Sequence, residues 1–496
     1  MSGRIMCARA HLACRFLADK VRVFLYDVVC AGTFNVPNFI GRAVLFGGIM
    51  CARAHSACKY EKTLGKEGFM LDTPRKRLED TINHRDPGKV VVDMGSSSIT
   101  GINANALAAL RDALGLEKRP IKVYEPLQLL GMVEDDLRRT LGLCVAEVTN
   151  NFTIFGYENR SWKPWKLPTG LDVLIGEDFV TSFDEKTGYT YVHPQGNKDA
   201  PPSGRLPPDG FYFDNCFRTF KEFDEDNHNG REDYAEDYKV YTDEQLRTIE
   251  NTCNDLYNNT DLGIIGGGAL AGLGDYAYFP GPHIPYPKGI RDIEDWIIVH
   301  KTCPDYVHEI FGLQTEVALE NAKLFKQACG DKVQVMQISG TDFGTQRAPI
   351  MSNDSFREFY KPYYKQINGW IHQNTGWKTF FHSCGSVIDL MQEFYECGVD
   401  ILNPVQCSAA GMDPKTLKEK WGDKFTFWGA GVNTQKTLPF GTPEEVYKEV
   451  TERLSIFAPG GGFVFNTIHN IQGPTPVANI LAIFKAIDDY NKKPRF

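Results

Sequence analysis

The sequence predicts an α/β fold, a (β/α)8 TIM barrel with an inserted β/loop region and an N-terminal extension. Three observations lead there. From residue 261 onward, short apolar strands alternate with helical segments, the rhythm of parallel β-structure covered by helices. Six such units, with one or two earlier, suit a closed barrel better than an open doubly wound sheet. Polar residues recur just past the strand ends, the face where a closed parallel sheet gathers its chemistry.

Taken in order, residues 1–69 read as an extension of uncertain origin. I-M-C-A-R-A-H-L-A-C (5–14) returns as I-M-C-A-R-A-H-S-A-C (49–58), so Cys7, His11 and Cys14 are repeated as Cys51, His55 and Cys58. Six soft ligands invite metal, but the spacing matches no standard finger and two copies are too few for a solenoid. A duplicated leader is the preferred reading. The barrel domain is expected over 70–496. Its first helix opens at Thr73-Pro74, with Thr73 or Asp72 as cap and Pro74 in the first turn. K-V-V-V-D-M-G (89–95) is a strand, and 103–115 is an Ala/Leu-rich helix. At about 151–245 the composition turns to Gly, Pro, aromatic and acidic residues, the inserted region. Strands follow at 261–269, 333–339, 377–381, 399–404, 424–428 and 462–466. Between and after them come helices at 306–329, 355–373, 387–397, 414–421, 443–457 and 476–490.

Bulk properties exclude several classes. A chain of 496 residues with net charge −9 has neither the basic footprint of a nucleic-acid binder nor a polybasic membrane tether. No apolar run approaches the roughly 18 residues of a membrane span. The basic N-terminus is followed by no signal-like apolar segment, and thirteen cysteines without disulfide spacing fit a reducing compartment. A cytoplasmic location is expected. There is no G-x-S-x-G elbow, Walker loop or H-E-x-x-H. G-G-G-A-L-A (266–271) imitates a dinucleotide turn but lacks the helix that would cradle a pyrophosphate, so its small residues are expected to let a ligand or a neighbouring strand approach closely. E-D-N-H-N-G-R-E-D-Y-A-E (225–236) imitates a calcium loop, and a solvated acidic loop is the preferred reading.

The strand ends supply the candidate site. His382 and Cys384 stand two apart in F-F-H-S-C-G-S, so in extended chain they face one way. His469 ends a later strand, and three protein ligands with one open position describe a catalytic zinc site. Cys407 competes with His469 as third ligand. Asp342 can fill the fourth place or act as an acid, while Gln406 and Asn433 end other strands.

Over 70–496 the chain resembles the uroporphyrinogen decarboxylase-like family. The resemblance rests on D-F-G-T-Q-R (342–347), F-R-E-F-Y-K-P-Y (356–363), F-H-S-C-G-S (381–386) and D-I-L-N-P-V-Q (400–406). It extends to G-M-D-P-K-T-L-K (411–418), F-W-G-A-G-V-N-T-Q (427–435), V-F-N-T-I-H-N-I-Q (464–472) and the opening T-P-R-K-R-L-E-D-T-I-N-H-R-D-P (73–87). The family implies a (β/α)8 barrel. Its decarboxylase branch carries an arginine-rich early motif for a many-carboxylate substrate, and no equivalent stands here. Its cobamide-dependent methyltransferase branch binds zinc through H-x-C and a distant Cys, a position that falls on His469 in this sequence.

The resemblance therefore implies a zinc-dependent methyltransferase with metal ligands His382, Cys384 and His469. A corrinoid protein would be its partner, with methylcobamide the partner-bound cosubstrate. The other substrate would be a small methylated compound, or a thiol or pterin acceptor. Asp342 and Arg347 are the catalytic candidates, and Gln346, Asn403, Gln406, Asn433 and Gln472 the substrate-binding ones. Two imidazoles with a single thiolate leave the ion a stronger Lewis acid, which favours O-demethylation of a methyl ether. The alternatives are uroporphyrinogen decarboxylation in porphyrin synthesis, with Asp342 and Arg347 near the pyrrole ring, and a non-catalytic tetrapyrrole-binding protein.

Overall fold

The computed structural model describes residues 72–493. The duplicated Cys/His segments lie outside the described residues. Eight parallel strands form one sheet. They are β1 (Val91–Val92), β2 (Val145–Val148), β3 (Gly263–Gly266), β4 (Val335–Ser339), β5 (Lys378–His382), β6 (Ile401–Asn403), β7 (Thr426–Ala430) and β8 (Phe463–Asn466). Each pairs in parallel with the next from β2 to β8, and β8 returns to β1. The Cys144 N–H donates to the Val92 carbonyl at 2.8 Å, closing β2 onto β1. The sheet is therefore a (β/α)8 barrel.

One inward side chain from every strand builds the floor: Val91, Val145, Ile265, Val335, Phe380, Ile401, Trp428 and Val464. Bulky branched and aromatic groups suit a layer that must fill the lumen. The helix Pro74–Thr81 plugs the barrel from below with Leu78, joined by Ile82 just beyond its end. Thr73 caps that helix by accepting from the Lys76 N–H at 3.2 Å. Gly263 is needed at the start of β3, because a Cβ there would lie 2.4 Å from Leu78 Cδ2.

The helices differ from expectation in instructive ways. The segment expected as one helix over 355–373 is two, Asn353–Phe359 and Lys361–Asn374, because Pro362 lacks the N–H a continuous ladder needs. Pro304–Cys329 is preceded by Ile293–Thr302, and Asp243–Asn259, with a capping box from Thr242 and Gln245, precedes β3. Neither of those earlier helices was foreseen.

Two small four-stranded sheets, built from strands between Ile121 and Asn215, interrupt the β1–β2 and β2–β3 connections. They are tied to the C-terminal side of the barrel: Asn470 Nδ2 donates to Gln128 Oε1 at 2.9 Å and Asn103 Nδ2 to the Phe211 carbonyl at 3.0 Å. The 225–236 loop uses Asn229 to cap the turn Gly230–Asp233, accepting from the Glu232 N–H at 3.0 Å. No helix among the described residues is long and apolar enough to cross a membrane.

Candidate metal centre

His382 is the last residue of β5, and the chain turns at once through Ser383, Cys384 and Gly385. A second turn, Asp342–Gly344 after β4, grips this one. The Cys384 N–H donates to Asp342 Oδ1 at 2.7 Å, the Phe343 N–H to Ser383 Oγ at 2.8 Å and the Ser386 N–H to the Thr345 carbonyl at 2.7 Å. The two turns meet glycine to glycine, since a Cβ on Gly385 would lie 2.3 Å from Gly344. The paired motifs D-F-G and H-S-C-G thus make one rigid clasp that aims the Cys384 thiol.

His382 is held by its neighbour strand. Its Nδ1 lies 2.5 Å from Asn403 Oδ1, and Asn403 Nδ2 donates to the Trp428 carbonyl at 2.7 Å. The carbonyl can only accept, which fixes the amide's orientation and leaves Oδ1 to accept from the ring. His382 therefore carries its proton on Nδ1 and presents the Nε2 lone pair, the arrangement a metal-bound imidazole uses. Nε2 stands 3.4 Å from Cys384 Sγ and 3.7 Å from Asp342 Oδ1.

His469 arrives from beyond β8 at a φ of 73°, a left-handed conformation that a non-glycine residue adopts under constraint. Its ring centroid lies 5.4 Å from that of His382. Ligand atoms of His382, Cys384 and His469 all fall within 4.8 Å of one another, and among the described residues they are the one such group of three or more. The Asn470 N–H donates to His469 Nδ1 at 2.8 Å. As a ligand His469 must give up that bond or shed its Nε2 proton, so it is the adjustable member and His382 the fixed one. Burial, reinforced by His382, lowers the His469 pKa to about 4, keeping the ring neutral. Burial, then the Asp342 charge, holds the Cys384 thiol well above its ordinary value, so a metal must displace that proton. Two imidazoles and one thiol, with a fixed tautomer behind the first, fit a zinc ion.

The other candidates take different places. Asn403 orients His382. Gln406 accepts the Gly385 N–H at 2.8 Å and donates to Gln346 Oε1 at 3.0 Å, so it supports the clasp. Asn433 Oδ1 accepts from the Gln435 N–H at 2.8 Å and the Lys436 N–H at 3.1 Å, shaping its own loop. Gln472 Oε1 is buried without a partner. Arg347 is exposed on its turn, where its backbone N–H donates to Thr345 Oγ1 at 3.2 Å. Cys407 does not join the group of three; burial raises it to about 12 amid the charges of Arg453 and Glu449.

Sequence reasoning missed a second set of residues, the carboxylates at the ends of the early strands. Asp93 follows β1, Glu147 lies in β2, Asp275 follows β3, and Glu125 ends a strand of the small sheet beside them. Burial raises Asp93 to about 6, against its bonds from Ser96 and from Trp428 Nε1, the latter at 2.9 Å. It raises Glu125 to about 7 although the Leu127 and Gln128 N–H groups donate to it. Asp275 also reaches about 7 by burial, opposed by the Ala277 N–H and reinforced by Asp342. Glu147 reaches about 8 by burial and then the Asp93 charge. The one available signal was their position at strand ends, which Asp93 in V-V-V-D-M-G shows.

Residues 287–490, most of the second half of the barrel, match the family model described as Uroporphyrinogen decarboxylase (URO-D). Among curated relatives, the uroporphyrinogen decarboxylase of Coxiella burnetii (strain RSA 331 / Henzerling II) is 28% identical over 95 residues, 18% of this chain and 26% of its own length. That of Actinobacillus pleuropneumoniae serotype 5b (strain L20) is 26% identical over 152 residues, 29% of this chain and 39% of its own. The chain thus spans between a quarter and two-fifths of the length of these relatives. Among solved structures, a methyltransferase from Methanosarcina mazei aligns with a TM-score of 0.46 and 18% identity, covering 84% of this chain and 99% of that one.

Proposed function

We propose that this protein, whose residues 287–490 match the uroporphyrinogen decarboxylase family model, is a zinc-dependent methyltransferase. It exchanges a methyl group between a corrinoid protein and a small methylated substrate, or a thiol or pterin acceptor. The observation that carries the reading is the convergence of His382, Cys384 and His469 within 4.8 Å. A zinc ion bound there supplies Lewis acidity toward an oxygen or sulfur of the small molecule.

The chain's own residues do the rest. Asn403 holds the His382 ring in one tautomer, so that ligand needs no reorganisation. Asp342 and Gln406 fix the backbone around Cys384 and set where the sulfur points. The Asp342 side chain is 41% exposed, so beyond positioning Cys384 it faces the opening and can pass a proton to or from a bound molecule. The floor of Phe380 and Trp428 closes the lumen beneath the site and keeps water from entering from below.

Decarboxylation of a porphyrinogen is the weaker reading. A many-carboxylate substrate needs cationic forks, whereas this mouth offers Asp93, Glu125, Glu147 and Asp275. The test is metal analysis of the full chain, expected to show one zinc per molecule, with Cys384→Ala and His382→Ala losing it. Mixing with methylated corrinoid protein then reads methyl transfer in the cobalt spectrum. Unchanged zinc in Cys384→Ala, or full activity in metal-free protein, would overturn the proposal.

A further inference from the structure

The soft ligands come from β5 and β8, and the carboxylates from the side of the mouth formed by β1 to β3. Glu147 is the most telling of them. Gly267, just past β3, has no side chain, and a Cβ there would lie 1.8 Å from Glu147 Oε1. The glycine therefore leaves the room in which the Glu147 carboxylate lies across the end of the next strand. Asp275 is treated alike: a Cβ on Gly340 would lie 2.8 Å from its Oδ2. Space has been kept for two acids at adjacent strand ends, and the charges acting on them are other acids, Asp93 on Glu147 and Asp342 on Asp275.

These acids do not form a metal cage. Among the described residues only His382, Cys384 and His469 form a group of three or more close enough to share an ion. The carboxylates are spread around the mouth, as suits a larger cation with dispersed charge. Two phenols point to the same ligand. The Tyr124 and Tyr157 hydroxyls are buried without partners, and Tyr157 is only 5% exposed. The charges felt by Tyr124 are those of Glu147, Glu125 and Asp93, and Tyr157 feels Glu125 first. Unmet hydroxyls beside separated carboxylates, with aromatic rings nearby, are the chemistry that receives an alkylammonium group.

We infer that the small molecule of this site carries a positively charged nitrogen, held by Glu147 and Asp275 while its oxygen or sulfur faces His382, Cys384 and His469. The substrate class is thus an amine-bearing methyl ether, or an amine-bearing thiol acceptor. Its identification as the methyl-transfer substrate rests on the function proposed above; the cation subsite does not.

The experiment is calorimetric titration of the full chain at neutral pH with phenethylammonium, phenyltrimethylammonium and 3-phenylpropionate, each with and without added zinc. Both cations are expected to bind at least tenfold more tightly than the anion. Glu147→Gln should weaken them about tenfold with zinc content unchanged, and Asp275→Asn should do the same should the first variant fold poorly. Phenyltrimethylammonium has no proton to give, so its binding should release protons from the mouth, read as a heat that changes with buffer ionisation enthalpy. Equal affinity for the anion, or cation binding untouched by both substitutions, overturns the inference. So does displacement of the cations by millimolar magnesium or calcium, which would make the acids a metal site. Cation binding in a protein that takes up no zinc would sustain this inference while removing the methyl-transfer reading.

Discussion

Replacing Glu147 by glutamine should stabilise the protein at alkaline pH and leave it unchanged in acid. The Glu147 carboxyl sits at about 8 in the folded chain against an ordinary 4.5. Below 4.5 both folded and unfolded chains hold the proton, and ionisation plays no part. Between 4.5 and 8 the unfolded chain releases it while the folded chain keeps it, so stability falls as pH rises; above 8 the loss is complete. Each pH unit of that displacement is worth about 1.4 kcal/mol, giving a ceiling of about 5 kcal/mol. Glu147 is only partly buried as a residue, and solvent screening brings the expected difference to about 2 kcal/mol. Urea unfolding of both proteins at pH 5 and pH 9 reads it as a midpoint gain confined to the higher pH. Asp93, Glu125 and Asp275 slope the same way in both chains and drop out of the comparison. Because the Asp93 charge is the second cause of the displacement, Asp93→Asn should shrink the effect. Parallel pH profiles for Glu147→Gln and the parent would refute the argument.

Other outcomes follow from the same geometry. Asn403→Leu removes the acceptor behind His382 and should weaken zinc binding by about 10- to 100-fold, measured by chelator competition. His469→Cys should retain zinc and, on cobalt substitution, strengthen the thiolate-to-metal absorption; His469→Ala should lose affinity, though less than His382→Ala, because His469 must give up its Asn470 bond or its Nε2 proton to serve. Leu78→Ala opens a hole under the barrel floor at a side chain with 0% exposure, and should cost about 2–5 kcal/mol in denaturant unfolding.

The second half of the barrel was legible because each unit there pairs a clear strand with a clear helix. β4 to β8 fall on the apolar runs read from sequence, and Pro414–Trp421 and Pro443–Phe457 match the expected helices within their caps. Of the first half, β1 and β3 fall within the runs read at 89–95 and 261–269, but β2, four residues long, was too short for periodicity to register, and the small sheets fill the intervals around it. His382, Cys384 and His469 were readable as soft donor side chains at strand ends, and the structure brings them within 4.8 Å of one another. Asn403 was expected to touch substrate, yet it serves His382 instead, because β5 and β6 pair His382 directly opposite Asn403. Only that register, invisible in one sequence, converts a pocket amide into a ligand's support.

The carboxylates escaped for a different reason. A lone Glu in C-V-A-E-V has no motif, and its meaning depends on a glycine 120 positions later that keeps its place empty. The G-G-G-A-L-A stretch was read as room for a ligand or a neighbouring strand, and what fills it is the Glu147 side chain of the neighbouring strand β2. Together these facts divide the mouth into two chemistries. One side presents nitrogen and sulfur from β5 and β8, joined by an amide that fixes a tautomer. The other presents acids from β1 to β3 that form no ion pair among the described residues, with glycines cleared beside Glu147 and Asp275. A decarboxylase site for a polyanion would need cations on that second arc, and a plain zinc-thiol site would need nothing there at all. Acids kept in place at a cost of about 2 kcal/mol for Glu147 alone are best explained by a ligand that repays the cost on arrival, and a cation is the ligand that does so.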